Sequence, residues 1–308
     1  MNAVEGTNYY LSGVQKAADD LALFIRESMA RAGIVGPLDA LGMGLSGAED
    51  ASLNEQMVDY LLSQHGDIAQ SLALESDSVA TVAACFGNDG GAVVIAGTGS
   101  STRLLLPGGK ILAVGGWGHA VGDGGSGYWI ANLGMRKIFD VEDGVEEGNI
   151  DKLREVMFAF FGVTDKVHLL DFLYAKFDKS KLASVTAVLA KHVSDPVISS
   201  LFFEGGRSLG RQMHALIKKI PETHTEKMQD INVLLIGSVF ESWSAVKDGF
   251  ACGLAIESLA CRKVSLFRGT VDAAVGAAVL GASHALVPFP FTSNVNSKYF
   301  DAIQREGS

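Results

Sequence analysis

The sequence has few cysteines, few prolines and no excess of basic charge. Its 308 residues include three cysteines and six prolines, and 25 Lys and Arg stand against 35 Asp and Glu, giving a net charge of −10. Without a basic surface, the chain has little to attract a nucleic acid backbone or an anionic membrane. Cys85, Cys252 and Cys261 form no disulfide framework and no Cys-x-x-Cys pair, which favours a reducing, cytoplasmic location.

Long apolar runs are also absent. The runs at 92–96 and 233–236 fall far short of the ~20 residues that a membrane span needs. No signal peptide is predicted, and we expect neither nucleic acid nor membrane among the partners. Glycine, by contrast, is abundant, with 36 residues, and 48% of the chain is hydrophobic. The composition predicts a large buried core together with loops that bring the backbone close to a ligand.

Hydrophobic periodicity and turn residues predict helices and strands that alternate along both halves of the chain. The predicted strands lie at 38–45, 71–75, 92–96, 101–106, 110–114, 231–236 and 263–267. Predicted helices begin at Ser12, at the capping box Ser52–Glu55, at Ser78, at Ser126, at the Asp195-Pro196 pair, at Glu241 and at Asp272. Strands that alternate with helices indicate an α/β fold, in which ligands bind at the loops that leave the strand ends.

Gly97-Thr98-Gly99-Ser100 follows a buried strand and leads into another. Its backbone N–H groups and hydroxyls could surround an anion, although an ordinary hairpin turn explains the same residues. The sequence contains no Walker A motif, no Gly-x-Gly-x-x-Gly opening a helix and no His-Glu-x-x-His. We therefore predict no P-loop, no dinucleotide site and no metal site formed by the protein.

A second glycine-rich stretch runs from 115 to 126 and contains Trp117, His119 and Asp123. A structural explanation makes Asp123 or Ser126 a helix cap and places Trp117 in the core. A functional explanation makes the stretch a binding loop. So many glycines raise the conformational entropy that is lost on folding and contribute no side-chain packing that would compensate for it.

Asp77 lies between a predicted strand and a predicted helix. It could cap that helix. It could equally act as a general base, because a carboxylate at such a loop can take the proton of a hydroxyl group that attacks a phosphate.

The segment at 89–131, DGGAVVIAGTGSSTRLLLPGGKILAVGGWGHAVGDGGSGYWIA, resembles the BadF/BadG/BcrA/BcrD ATPase family of the actin-like ATPase superfamily, and within it the N-acetylglucosamine kinases. Weaker similarity extends over LGMGLSG at 41–47, LLIGSVFESW at 234–243 and VGAAVLGA at 275–282. The resemblance implies two ribonuclease H-like domains that flank a cleft, with ATP and its Mg²⁺ bound there. It implies transfer of phosphate from ATP to the 6-hydroxyl of N-acetylglucosamine, and a homodimer.

The resemblance also assigns roles to individual residues. Asp77 corresponds to the general base. The sugar-binding residues it implies are Asn8, Asp77, Gly116, Trp117, Gly118 and Asp123. The nucleotide-binding residues it implies are Gly97, Thr98, Gly99, Gly206, Gly237, Ser238 and Ala274.

One part of the family pattern is missing from the sequence. Members open with two strands joined by a Gly-Gly-Gly-Thr turn, the first phosphate loop, and nothing like it precedes Gly6. We therefore expect an incomplete first domain at 1–88, against which the tail at 288–308 packs, and a complete second domain at 89–287. A non-catalytic sugar-binding or scaffold protein is the alternative. A dehydratase-activator ATPase is a further one, but Cys252 and Cys261 lack the spacing of an iron–sulfur site.

Overall fold

A computed structural model describes residues 9–269, 273–290 and 297–305. Within those residues the strands are β1 Leu41–Leu45, β2 Leu72–Ser76, β3 Gly91–Ala96, β4 Ser100–Leu105, β5 Ile111–Gly115, β6 Asp230–Ile236, β7 Lys263–Gly269 and β8 Ser297–Gln304. The helices are α1 Tyr9–Ser12, α2 Val14–Ala32, α3 Ala51–Gln64, α4 Asp77–Phe86, α5 Gly127–Glu142, α6 Asp151–Phe161, α7 Leu170–Leu173, α8 Lys179–Leu189, α9 Pro196–Lys218, α10 Glu222–Thr225, α11 Trp243–Leu254 and α12 Ala273–His284. The predicted α/β class is confirmed.

The chain divides into two compact units. The first unit comprises Met1–Val93, Leu104–Ile111 and Phe267–Tyr299, and the second comprises Val94–Arg103, Leu112–Leu266 and Phe300–Ser308. Both units are therefore assembled from separate stretches of the sequence.

In the first unit, β1 and β2 form a parallel pair in register from Leu41 opposite Leu72 to Leu45 opposite Ser76. Alternate residues of β2 are buried, as expected for a strand with one face on a core. Helix α12 packs against β1, β2 and α4. Small residues on α12 allow its backbone to approach these elements closely.

The core of the first unit lies between α2, α3 and this sheet. One face of α2 buries Ala17, Ala18, Leu21, Ala22 and Ile25. Side chains from α3, from β2 and from the loop before β2 join the same cluster: Met57, Leu61, Ile68, Leu72 and Leu74. These positions follow the helical and strand periods in the sequence.

Three predicted helix and strand starts in this unit are wrong. Helix α2 follows Gly13, with no side-chain cap from Ser12. Helix α3 is capped by Asp50, whose carboxylate accepts the N–H groups of Ser52 and Leu53, so Ser52 is not the cap. Leu38 forms only an isolated bridge with Ala69, and the strand itself begins at Leu41.

The larger sheet has six strands in the order β5-β4-β3-β6-β7-β8. Its three consecutive strands β3, β4 and β5 are the predicted meander. The predicted turn at 107–109 is confirmed, with the Leu106 N–H donating to the Lys110 carbonyl at 2.8 Å. Strand β8 was not predicted and lies at the edge beside β7.

Helix α9 begins as the Asp195-Pro196 pair predicts. The Asp195 carboxylate accepts the N–H groups of Val197 and Ile198, and Pro196 occupies the first turn. Among the helices that the structure describes, none combines the length and the apolar character that crossing a bilayer requires.

Candidate functional site

The Gly97-Thr98-Gly99 loop joins β3 to β4 and is held by two backbone hydrogen bonds. The Gly97 N–H donates to the Gly99 carbonyl at 3.0 Å, and the Gly127 N–H donates to the Gly97 carbonyl at 2.8 Å. The second bond ties the loop to the first residue of α5. The loop is therefore more constrained than a hairpin turn needs to be.

Asp123 is the central charged group beside this loop. Its side chain is buried, with 4% relative exposure, and its backbone has a left-handed φ of 58°. Oδ1 accepts the Ser100 N–H at 3.1 Å, and Oδ2 lies 2.7 Å from Nζ of Lys179. The carboxylate thus holds the start of β4, directly after the Gly97-Thr98-Gly99 loop, in place.

Of the two proposed helix caps in this region, Ser126 is the one observed. Its hydroxyl accepts the Trp129 N–H at 3.1 Å at the start of α5. Asp123 makes no such bond with its side chain, so a capping role does not explain its carboxylate.

The glycine-rich stretch before Asp123 adopts left-handed backbone at several positions. Gly116 has a φ of 85°, and a methyl group added there would lie 3.0 Å from Nη2 of Arg103. Trp117 is 76% exposed, so the structural alternative that placed it in the core is wrong. Gly118, with a φ of 79°, completes a loop that presents a large aromatic side chain to solvent.

His119, which directly follows Gly118, holds the middle of this stretch through aromatic contacts. Its ring stacks on Phe177 with centroids 4.9 Å apart and meets the edge of Tyr128 at 5.3 Å. Burial, with a smaller contribution from the negative charge of Asp123, raises the pKa of Tyr128. The segment just before α8 therefore packs on the glycine-rich stretch.

A cavity of about 220 Å³ lies beside the Gly97-Thr98-Gly99 loop in the second unit. The residues that line it are small or hydroxyl-bearing: Gly97, Thr98, Gly127, Ser180, Ala183, Ser184, Thr186, Ala187, Ser238, Val239 and Ser242. Five of these residues belong to α8, and four of the five, at 180, 183, 184 and 187, share one helical face. The cavity brings together Gly97, Thr98 and Ser238, which the family resemblance assigned to the nucleotide.

Gly237 and Gly206 have packing reasons for being glycine. Gly237 follows β6 with a φ of 112°, and a methyl group there would overlap the Ala96 carbonyl oxygen of β3. Gly206 is buried in α9, where a methyl group would overlap the Val246 carbonyl oxygen of α11. Gly206 does not line the cavity. Its assignment to the nucleotide stays a prediction, since helix packing alone accounts for it.

Two further residues were predicted, Ala274 and Asn8. Ala274 is an exposed residue in the first turn of α12, in the first unit. Asn8 lies outside the residues that the structure describes. Their predicted roles therefore draw no support from local geometry.

Asp77 is an exposed residue at the start of α4, directly after β2. The N-cap position belongs to Ser76, which makes no side-chain cap bond, so Asp77 is not the cap of this helix. Its carboxylate stands where the strand end opens to solvent. That position is open to a substrate hydroxyl.

Two charged groups near these motifs were not predicted. Burial, together with the charge of Glu49, raises the pKa of Glu75 to about 7, two residues before Asp77. Lys179 begins α8 and pairs with Asp123. Neither residue belongs to a motif, so no signal in the sequence pointed to them.

Over the described part of the chain, no three His, Cys, Asp or Glu side chains cluster in a way that could hold a metal ion. Mg²⁺ carried by a nucleotide takes its ligands largely from phosphate oxygens and water, and so needs few protein ligands. The described residues are compatible with Mg²⁺ bound in this way, and Mg²⁺ binding itself stays a prediction.

Comparison with known proteins places the chain in a family. The model of the BadF/BadG/BcrA/BcrD ATPase family matches residues 3–281. The chain is 26% identical over 254 residues to the N-acetylmuramic acid/N-acetylglucosamine kinase of Clostridium acetobutylicum, covering 79% of this chain and 77% of that protein.

A solved structure shares the fold. It is a protein of Chromobacterium violaceum, provisionally named N-acetylglucosamine kinase, with 20% identity, a TM-score of 0.56 and coverage of 87% of this chain and 86% of that one. The predicted fold class and family are confirmed, and the division into an incomplete first domain and a complete second domain stays a prediction. Because the family model spans most of the sequence, the chain belongs to the BadF/BadG/BcrA/BcrD ATPase family.

Proposed function

We propose that this protein is an ATP-dependent sugar kinase that converts N-acetylglucosamine to N-acetylglucosamine 6-phosphate. The observation that carries the proposal is the contact of Asp123 with the start of β4. A buried carboxylate suited to a sugar hydroxyl is hydrogen-bonded to the residue that follows the Gly97-Thr98-Gly99 loop. Because the chain belongs to an ATPase family, we expect that loop to bind phosphate.

In this reaction the oxygen of the sugar 6-hydroxyl attacks the γ-phosphorus of ATP. The new O–P bond forms as the bond from phosphorus to the bridging oxygen of ADP breaks, and ADP leaves with that electron pair. Asp77 accepts the proton of the hydroxyl. Phosphoryl transfer depends mostly on positioning and on charge stabilisation, which glycine loops and placed charged groups can supply.

Each of the two binding regions receives one of the two substrates. The hydroxyl-lined cavity beside Gly97 and Thr98 receives the nucleotide, since its serines and threonines can bond ribose and phosphate oxygens. Asp123 and the Gly116-Trp117-Gly118 loop receive the sugar, with the exposed Trp117 ring offering a flat apolar surface. Mg²⁺ bound to the phosphates would neutralise part of their charge.

The relative from Clostridium acetobutylicum supports an N-acetylated amino sugar as the substrate class. The dehydratase-activator alternative finds no support in the cysteines, because Cys85 and Cys261 are buried and no cysteine belongs to a cluster of metal ligands in the described part of the chain.

The test is an ADP-release assay with the purified chain, ATP, Mg²⁺ and a panel of sugars. The panel comprises N-acetylglucosamine, N-acetylmuramic acid, N-acetylmannosamine and glucose, with ³¹P NMR to identify the product. We expect turnover with N-acetylglucosamine and a 6-phosphate product. Sugar binding by calorimetry without ADP release would instead support the non-catalytic sugar-binding alternative.

A further inference from the structure

Lys179 places a positive charge at the junction of the two proposed binding regions. It is the first residue of α8, whose start is fixed by the Asp178 carboxylate accepting the Lys181 N–H at 3.0 Å. Its Nζ atom lies 2.7 Å from Oδ2 of Asp123. A methyl group added at Gly99 would lie 3.1 Å from the same Nζ, so the ammonium group also stands against the loop.

The helix that carries Lys179 reaches the cavity at the next residue. Ser180 lines the cavity with Gly97 and Thr98. Lys179 therefore stands where the cavity wall, the loop and the Asp123 carboxylate come together. All of these residues belong to the second unit.

The residues that line the cavity carry no charge. A polyphosphate placed there would need a positive group to balance its charge. Lys179 can provide one, because an ammonium group has three N–H donors and Asp123 occupies only part of that capacity. The Lys179 side chain is 29% exposed, whereas that of Asp123 is 4% exposed. A lysine whose only role was to neutralise Asp123 could be as buried as Asp123 itself.

Building on the proposed function, we propose that the Lys179 ammonium group binds the phosphoryl group as it passes from ATP to the sugar. Negative charge spreads over the three equatorial oxygens of that group during transfer, and a fixed cation stabilises it there. Lys179 keeps its proton throughout, and the hydroxyl proton goes to Asp77. Asp123 holds Nζ in position beside the loop.

The test compares Lys179→Met and Lys179→Arg with a matched control, Lys181→Met. Lys181 lies on the same helix, and its ammonium group rests on the ring of Phe172, 4.6 Å from the centroid. The control thus removes one lysine charge from α8 without touching Asp123. The readouts are kcat, KM for ATP, sugar affinity by calorimetry and the ratio of affinities for AMPPNP and ADP.

For Lys179→Met we expect kcat to fall at least ~100-fold, as when a single transition-state donor is lost. Sugar affinity should stay within about threefold, and the preference for AMPPNP over ADP should fall at least ~fivefold, because the γ-phosphate loses its contact. Lys181→Met should keep wild-type values. Wild-type kcat and nucleotide preference in Lys179→Met would contradict the proposal, as would weakened sugar binding alone. Either result would show that Lys179 serves only as a counter-ion of Asp123.

If Lys179→Met does not fold, Lys179→Arg decides, because it retains the ion pair. A planar guanidinium group replaces a point charge poorly, so the proposal expects at least ~tenfold lower kcat, whereas a counter-ion role predicts wild-type kcat. A wild-type chain that binds nucleotide but phosphorylates no sugar would overturn the proposed function alone. The AMPPNP to ADP ratio would still decide the role of Lys179, and absence of nucleotide binding would overturn both.

Discussion

Gly276 of α12 lies directly against the backbone of Ala80 in α4. A methyl group added at Gly276 would overlap the Ala80 carbonyl oxygen and would lie 2.6 Å from the Ala84 nitrogen. Both neighbours are main-chain atoms of a buried helix, so they cannot move aside as a flexible side chain would. The closeness of these two helices depends on that one missing side chain.

We therefore expect Gly276→Ala to lower the free energy of unfolding by about 3 kcal/mol or more, despite the better helix propensity of alanine. Thermal unfolding measures the effect. Ser283→Ala, at an exposed position of the same helix, is the control and should change the midpoint little. Equal midpoints for the two variants would mean that α12 does not pack as closely as described.

Asp77→Asn should leave sugar affinity within a few-fold but abolish phosphoryl transfer, because the amide keeps the shape and cannot accept the proton. Calorimetry with N-acetylglucosamine and the ADP-release assay measure the two effects. Asp59→Asn, an exposed change on α3, is the control. Retention of most of the activity in Asp77→Asn would rule out Asp77 as the general base.

Asp123→Ala should weaken sugar binding at least ~tenfold and ATP binding less. A hydrogen bond from a sugar hydroxyl to a charged carboxylate contributes about 1–3 kcal/mol. The melting temperature should also fall, because Ser100 loses its acceptor and Lys179 its partner. Asp143→Ala breaks an exposed pair with Lys166 and should change neither affinity. Loss of ATP affinity alone would argue against Asp123 as a sugar ligand.

Glu75 makes stability depend on pH. The folded chain keeps this carboxyl protonated up to about pH 7, while the unfolded chain releases the proton above its ordinary value of 4.5. The free energy of unfolding therefore falls as pH rises through this window and levels off above it.

Glu75→Gln should remove that slope and raise the melting temperature by a few degrees at pH 8, the gain being limited by partial solvent screening. Melting curves from pH 4 to pH 9 measure it. Glu55→Gln, exposed on α3, should follow the wild-type profile. A wild-type slope in Glu75→Gln would assign the pH dependence to other groups.

Local chemistry determined which elements were predictable. The turn at 107–109 and the start of α9 depend on Gly and Pro and on an Asp cap within a few residues, and both were predicted. The start of α2 was not, since Gly13 precedes it without any side-chain cap bond. The start of α3 was not either, because a better cap competes nearby. Asp50 stands two residues before Ser52 and takes its N–H group. Strand β8 depends on pairing with β7, to which no local signal in the tail points.

The candidate site likewise contains residues that local sequence points to and residues that only the folded chain brings together. The glycine loops and Asp123 were found because their residues lie together in the sequence. Lys179 lies 56 residues after Asp123, in an element with no motif, and only the folded chain brings Nζ to Oδ2. Gly206 carries the opposite ambiguity: a close helix crossing can explain this glycine without any ligand, so its nucleotide role stays a prediction.

The packing of α12 on β1 bears on how the chain folds as it is synthesised. Gly42 lies against Ala277 and Gly281, so the small sheet near the beginning of the sequence is covered by a helix that leaves the ribosome near the end. Such distant contacts delay folding. The first unit must therefore stay uncovered during most of translation, exposed to chaperones and proteases, while a large part of the second unit can already fold.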